Sequence, residues 1–180
     1  MKKSPHQDIL DVLNGLSKNF SDLATDKKFS VRAKTVHLFG GSFGGPAGIL
    51  ASRDPRVQKA VLFAPVVDWL SPSKAEPLPS LYRYIKQAFG PAYRVNKSDW
   101  DKLSSGRFYN PVTHAREIDG RKLFFVHARD DESVSWHSVE KFSEIVRARF
   151  ILQKHGGHLS FDDIMLPGMW KRISIFLKEK

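Results

Sequence analysis

The first apolar positions of the chain lie on one side of a predicted helix. Between residues 8 and 23 they follow one another at spacings of four, three, four and three, and they are Ile9, Leu13, Leu16, Phe20 and Leu23. Such spacings place side chains in one stripe along an α-helix. The pattern therefore predicts an amphipathic helix over residues 8–23.

Four short apolar runs further along the chain have the composition of buried strands, and these are residues 35–39, 57–64, 122–126 and 150–152. Helical patterns follow three of them, at residues 46–52, 136–146 and 167–178. Near-continuously apolar strands that alternate with helices are typical of a parallel sheet with both faces covered. We therefore predict an α/β fold with a parallel sheet at its centre.

One segment, residues 68–119, interrupts this alternation. It carries five prolines and eight aromatic residues between two predicted strands. A connection of about fifty residues is far longer than most connections in compact domains, and long connections are often lids or binding loops. We expect a mostly helical insertion within the domain. It acts as a lid over a substrate or packs against the sheet, and the two roles are not exclusive.

The letters GGSFG at residues 40–44 match the pattern G-x-S-x-G between a predicted strand and a small-residue helix. This is the context of a nucleophile elbow, a strained turn that lifts a serine hydroxyl above the sheet. We expect side chains at Gly40 or Gly44 to push the strand and the helix apart. Gly45 and Gly48 should extend the same narrow face.

Ser42 is the candidate nucleophile of this turn, and the N–H of Phe43 is the candidate first donor to an oxyanion. The helix that follows directs its N-terminal N–H groups and the positive end of its dipole toward the same place. A glycine-rich turn can also bind phosphate or be structural. Pro46 stands where the helix begins, however, and no Walker lysine follows.

A nucleophilic serine needs a base, and the base needs an orienting acid. Asp130, Asp131 and Glu132 follow the third predicted strand, and His155 and His158 follow the fourth. The carboxyl ends of parallel strands meet at one edge of a sheet, which is where the serine turn also lies. Both loops therefore supply candidates for the acid and the base.

Two other histidines have simpler interpretations. His37 lies inside a predicted strand, as a core residue or one behind the site, and His114 lies in the insertion. Neither H-x-x-x-H nor H-E-x-x-H spacing is present, so the histidines do not indicate a zinc site. We predict neither a metal nor a cofactor.

Length and composition fit one domain, because 180 residues that are 41% hydrophobic can bury one core and are too few for two. The net charge of +10 is spread along the chain, which indicates a solvated basic surface rather than a nucleic-acid site. No apolar run approaches the ~20 residues of a membrane span. The basic N-terminus lacks the apolar core of a secretory signal, and cysteine is absent, so we expect a cytoplasmic protein.

Taken together, four motifs resemble the catalytic domain of the prolyl oligopeptidase family of α/β-hydrolases. They are GGSFGG at 40–45, NPVT at 110–113, HARDDESV at 127–134 and GGH at 156–158. Acyl-peptide hydrolases, dipeptidyl peptidases and related single-domain esterases share the pattern. The resemblance runs from about residue 8 to the C-terminus.

The resemblance implies which acid and which base are used. In the family a histidine ends the strand, the catalytic aspartate lies four residues later, and a valine lies three residues beyond that. The spacing from His127 to Val134 then selects Asp131 over Asp130. The G-x-H ending of the last loop selects His158 over His155. The implied function is a serine hydrolase, either a peptidase or an esterase, that acts through an acyl-serine intermediate on a small ester or peptide.

The chain departs from the family in two ways. Ala128 stands where the family has glycine. More seriously, one predicted helix precedes the nucleophile strand, whereas the family begins with several more strands and takes its second oxyanion donor from the loop after the third. Loss of one such donor typically costs ~10²–10³ in rate. We therefore expect a partial α/β-hydrolase domain over residues 1–180, with the nucleophile strand at or near an unpaired sheet edge.

Three explanations remain open for the missing strands. The chain is a fragment of a longer protein, which we favour, or a second copy or partner completes the sheet. In the third explanation it is a reduced descendant that binds rather than catalyses. The alternative function is accordingly a non-catalytic α/β-hydrolase module that acts in protein interaction.

Overall fold

The chain enters the fold through a short helix and a two-stranded hairpin. This computed structural model describes residues 3–16, 18, 20–93, 95–158 and 164–179. Helix α1 (His6–Gly15) buries Leu13 and packs against the helix that follows the serine turn. Strands β1 (Phe20–Ser21) and β2 (Lys28–Phe29) then pair antiparallel.

The predicted helix over residues 8–23 is therefore wrong in its second half. Asp22 Oδ1 accepts hydrogen bonds from the backbone N–H groups of Ala24 and Thr25, at 2.9 and 2.8 Å, and closes a turn. A side chain that satisfies nearby backbone donors in this way competes with helix continuation. The periodic Leu23 lies in this turn and is 99% exposed.

Four parallel strands form the central sheet and confirm the four predicted strands. They are β3 (Val36–Gly41), β4 (Val57–Phe63), β5 (Leu123–Ala128) and β6 (Arg149–Gln153), and they lie side by side in that order. Gly40 pairs with Leu62, and Phe63 pairs with Val126. The two inner strands are almost wholly buried, as their apolar composition on both faces predicts.

Helices cover both faces of this sheet. Besides α1, they are α2 (Gly45–Ala51), α3 (Leu78–Phe89), α4 (Lys97–Asp101), α5 (Trp136–Val146) and α6 (Pro167–Lys178). On one face, Ile49 of α2 and Phe142 of α5 pack against inward side chains of β4 and β5. On the other face, Ile173 and Phe176 of α6 do the same. The α/β architecture predicted from the sequence is confirmed.

Residues 68–119 form a largely helical layer that contains α3, α4 and several 3₁₀ turns. Its aromatic side chains cluster with α2: Trp69, Trp100 and Tyr109 are buried beside Leu50. This cluster reaches the serine turn, because the ring of Phe43 lies 5.2 Å from that of Trp69. The segment therefore forms one wall of the site.

Strand β3 lies at the edge of the four-stranded sheet, and in the described part of the chain no strand pairs with its outer side. Phe39 on this strand is 43% exposed. The expectation of an edge position for the nucleophile strand thus holds in the structure. No helix within the described ranges is long and apolar enough to cross a bilayer.

Candidate active site

Ser42 lies on a sharp turn between β3 and α2. Its φ angle is +48°, in the left-handed region that non-glycine residues rarely adopt. A 3₁₀ turn over Ser42–Gly44 follows, and α2 begins at Gly45 with Pro46 in its first turn. The backbone is therefore strained at the residue that carries the hydroxyl, as a nucleophile elbow requires.

The glycines around this turn differ in how closely they are packed. A Cβ atom on Gly45 would lie 2.3 Å from the Pro65 Cβ, and one on Gly48 would lie 2.8 Å from a side-chain carbon of β4. One on Gly40 would lie 3.1 Å from the carbonyl oxygen of Gly44. The expectation for Gly44 is wrong, because no atom lies within 4 Å of a Cβ placed there. The 3₁₀ turn points residue 44 outward, and the close approach falls one residue later.

Three residues predicted as the catalytic set lie in one hydrogen-bonded series. His158 Nε2 is 2.7 Å from Ser42 Oγ, and His158 Nδ1 is 2.9 Å from Asp131 Oδ2. An ionised carboxylate only accepts, so Nδ1 carries the hydrogen and Nε2 is free to accept from the serine hydroxyl. The fold brings these groups together from strand ends that are far apart in sequence.

Asp131 is buried but richly supplied with donors. Its Oδ1 accepts from the N–H groups of Ser133 and Val134, each at 2.9 Å. Its Oδ2 faces both His158 Nδ1, at 2.9 Å, and His127 Nε2, at 3.0 Å. Burial alone raises the pKa of this carboxyl, yet the hydrogen bonds outweigh burial and hold the pKa of Asp131 well below its ordinary value. The group is therefore a carboxylate at neutral pH.

The electrostatic surroundings of His158 favour its protonated form. Its hydrogen bond to Asp131 raises the pKa of the imidazole, burial opposes this, and the negative charges of Asp131 and Glu76 add to the increase. The resulting pKa lies above the ordinary value for histidine. A base with a raised pKa takes a proton from a hydroxyl more readily, but it requires a higher pH to be neutral at the outset.

The other candidates for the acid and the base, Asp130, Glu132 and His155, do not contact Ser42 and have other surroundings. Asp130 accepts from the backbone N–H groups of Gly157, at 2.8 Å, and Gly156, at 3.4 Å. It therefore holds the loop that carries His158. His155 is exposed beside Asp130, with 3.6 Å between Nδ1 and Oδ2. The carbonyl oxygen of Glu132 accepts two backbone N–H groups from residues 74 and 75, while its side chain points to solvent.

No family model and no curated protein matches the chain. Solved structures do match. An esterase of Pyrococcus furiosus is 21% identical, with 81% of this chain and 54% of the esterase covered and a TM-score of 0.56. The α/β hydrolase GrgF of Penicillium sp. sh18 is 16% identical, with 97% and 72% covered and a TM-score of 0.61. An acylaminoacyl peptidase of Pyrococcus horikoshii is 15% identical, with 95% and 26% covered and a TM-score of 0.56. The chain has the α/β-hydrolase fold.

At these identities the similarity concerns the fold alone. The chain spans 54% of the esterase and 26% of the peptidase, so each of these proteins contains much that has no counterpart here. The resemblance to the prolyl oligopeptidase family in particular stays a prediction. Within the described residues, no group of three or more His, Cys, Asp or Glu could hold a metal ion.

A cleft lies beside Ser42. It encloses about 560 Å³, including space open to solvent, and lies between the serine turn, the 68–119 segment and the Asp131 loop. Phe43 and Trp69 contribute apolar surface. Glu76 enters from the 68–119 segment and accepts a hydrogen bond from Ser133 Oγ at 3.1 Å. The cleft thus combines apolar side chains with hydroxyl and carboxylate groups, as ligand sites commonly do.

The supporting roles of several residues at the site were not predicted from the sequence. His127 contacts the acid, and Glu76 adds charge near the base. Tyr109 donates its hydroxyl to the carbonyl oxygen of Phe43 at 2.8 Å, and the buried Asn110 donates to Asp68 Oδ1 at 3.0 Å. The motif NPVT pointed to Asn110 only through resemblance. For Glu76 and Tyr109 we find no local signal in the sequence.

Two further histidines that the sequence analysis considered, His37 and His114, lie away from the Ser42 hydroxyl. His37 is on β3, where burial and then the charge of Lys59 lower the pKa of its imidazole. Its Nδ1 is buried and has no partner in the described part of the chain. His114 lies beside Glu117 and beside Arg53, which follows the C-terminal end of α2, and Arg53 and Glu117 form an ion pair.

Proposed function

We propose that the protein is a serine hydrolase that transfers an acyl group to water through an acyl-Ser42 intermediate. The observation that carries this proposal is the unbroken series of hydrogen bonds from Asp131 through His158 to Ser42, with the serine on a strained turn beside a cleft. Each group has the partner that the chemistry needs. The base accepts from the nucleophile, and the acid holds the tautomer of the base.

The proposed reaction has two halves. Ser42 Oγ attacks the substrate carbonyl carbon while its proton passes to His158 Nε2, and the negative charge of Asp131 stabilises the imidazolium that forms. The carbonyl oxygen becomes an oxyanion, to which the N–H of Phe43 donates a hydrogen bond at the start of the turn. His158 then gives its proton to the departing alcohol or amine. Water, activated by His158, releases the acid from Ser42 in the second half.

We further propose that the substrate is a small ester or a short peptide, in keeping with the resemblance to prolyl oligopeptidases. The cleft supports an acyl group of modest size, because apolar side chains such as Phe43 and Trp69 line it beside Ser42. Among the proteins of similar fold, one is an esterase and one is an acylaminoacyl peptidase. An activated ester is the more permissive first substrate, since its leaving group needs little protonation.

Labelling with a fluorophosphonate probe tests this proposal. The wild-type protein should be labelled and should hydrolyse a p-nitrophenyl ester, and Ser42→Ala should lose both properties with an unchanged far-UV circular dichroism spectrum. Ser135→Ala removes another hydroxyl from the same cleft and serves as the matched control, which should remain labelled. Folded wild-type protein that takes no label and hydrolyses no ester would overturn the proposal.

A second candidate function rests on the edge strand. The outer side of β3 has no strand partner in the described residues, and Phe39 is exposed there. Edges of this kind pair readily with another chain. A folded protein that fails to label but binds through β3 would favour the interaction module over the hydrolase.

A further inference from the structure

A second histidine, His127, lies behind the acid of the site. It is the next-to-last residue of β5 and is 0% exposed. Its Nε2 is 3.0 Å from Asp131 Oδ2 and 3.1 Å from the carbonyl oxygen of Val134. Two imidazoles therefore converge on one carboxylate oxygen, that of His158 from the side of the serine and that of His127 from the strand.

The surroundings fix the tautomer of His127. Both groups near Nε2 only accept hydrogen bonds, so Nε2 carries the hydrogen and shares it between them. Nδ1 is buried and has no partner among the residues that the structure describes, so a hydrogen there would have no acceptor. A buried nitrogen without a partner costs stability. The ring thus keeps a donor aimed at Asp131 at the expense of its other nitrogen.

We propose that His127 is a positioning residue, which holds Oδ2 of Asp131 in place through its Nε2–H and weakens the attraction of that oxygen for the proton of His158. The proposal rests on the proposed function, because it concerns the acid of the same site. A carboxylate oxygen that accepts two donors offers less electron density to each of them. His127 would therefore both orient the acid and moderate the base.

Few other charged groups lie near the pair formed by His127 and Asp131. In β6 the residue opposite His127 is Leu152, and β4 ends at Phe63, which pairs with Val126, so neither flanking strand places a charge beside the ring. Within the described residues, the charged or titratable group that faces the pair is His158, with Glu76 acting on His158 from the 68–119 segment. Asp130 does not face the pair, because its carboxylate accepts a hydrogen bond from the backbone of the loop that carries His158.

Two variants separate positioning from mere packing. His127→Gln keeps an N–H donor at about the position of Nε2, whereas His127→Asn moves the donor to the position of Nδ1 and leaves Asp131 without it. Ester hydrolysis should be measured over about pH 5 to 9, with rates divided by the fraction of protein that a fluorophosphonate probe labels. Thermal unfolding should be recorded in parallel for each variant.

The Asn variant should lose about 10- to 100-fold in kcat with little change in KM, the effect of one hydrogen bond to a charged group. Its activity should also require a higher pH, because Asp131 freed of one donor holds the proton of His158 more tightly. The Gln variant should resemble the wild type in both respects. Wild-type kcat per labelled site and an unshifted pH midpoint in His127→Asn, whatever its thermal stability, would overturn the proposal.

Failure of this inference is distinguishable from failure of the proposed function. An active wild type whose pH profile is the same in both variants rejects the role of His127 and leaves the hydrolase intact. A wild type that is folded but neither labelled nor active rejects both. If the Asn variant does not fold, a Gln variant with a reduced kcat and a shifted profile still contradicts the expected rescue, and a Gln variant equal to wild type supports it.

Discussion

Adding one methyl group at Gly45 should destabilise the protein, whereas the same change at Gly44 should not. The Cβ of Gly45→Ala would lie 2.3 Å from the Pro65 Cβ and 2.7 Å from its Cα, against 3.4–4 Å for ordinary contact. The Pro65 side must therefore retreat by about 1.1 Å. Pro65 is buried, and its ring fixes its own backbone, so relief requires moving α2 from β4. Forced overpacking of this kind typically costs ~1–3 kcal/mol.

Gly44→Ala is the matched control. Gly44 has φ −75° and ψ −17°, which any residue adopts, and no atom lies within 4 Å of a Cβ there. Replacing a glycine in an unstrained position stabilises a protein by ~0.4–1 kcal/mol, because the unfolded chain loses freedom. The two variants differ by one residue and one methyl group, yet they should differ by about 1.5–4 kcal/mol in the free energy of unfolding.

Urea and thermal unfolding, followed by far-UV circular dichroism, measure this difference. For a protein of this length, 1 kcal/mol corresponds to a Tm change of ~2–4 °C. The folded fraction of Gly45→Ala should also react more slowly with a fluorophosphonate probe, since a displaced α2 moves the Phe43 N–H from its place beside Ser42. If Gly44→Ala proved as unstable as Gly45→Ala, the argument from close packing at residue 45 would be refuted.

Two further predictions concern the acid and the sheet edge. Asp131→Asn should lower ester turnover by ~10³–10⁴-fold, because His158 loses the carboxylate that fixes its tautomer, whereas Asp130→Asn weakens only the hydrogen bond to the Gly157 N–H and should lower turnover far less. Steady-state kinetics on folded samples measure both effects, and a larger loss in Asp130→Asn would place the acid at Asp130. The unpaired outer side of β3 should cause self-association or poor solubility despite the net charge of +10, and sedimentation velocity at tens of micromolar tests this, with a clean monomer as the contrary result.

The sequence by itself determined the elements that rest on local periodicity. Strands β3 to β6 and helices α5 and α6 appear within one or two residues of their predicted bounds, because a buried strand must be apolar on both faces and a covering helix must be apolar on one. The serine turn was also predictable. A positive φ at Ser42 and close packing at Gly45 both follow from a short chain segment that must reverse direction against the sheet.

Local periodicity failed where another local interaction was stronger. The apolar stripe of α1 continues in the sequence to Leu23, but the helix ends at Gly15, and the side chain of Asp22 satisfies the backbone donors of a turn between β1 and β2 instead. Gly44 is part of the G-x-S-x-G motif, yet the 3₁₀ geometry of the turn directs this residue toward solvent. Neither outcome depends on hydrophobic spacing, so the pattern of apolar positions could not reveal them.

Only the tertiary structure decided how the site is assembled. Ser42 and His158 are 116 residues apart, and their hydrogen bond exists because β3 and β6 end at the same edge of one sheet. Resemblance suggested Asp131, but its four donors come from the way its loop folds back over β5. The contact between His127 and Asp131 has the same origin. A hydrogen bond between residues on different elements depends on where the whole sheet places them, and no single segment of the sequence contains that information.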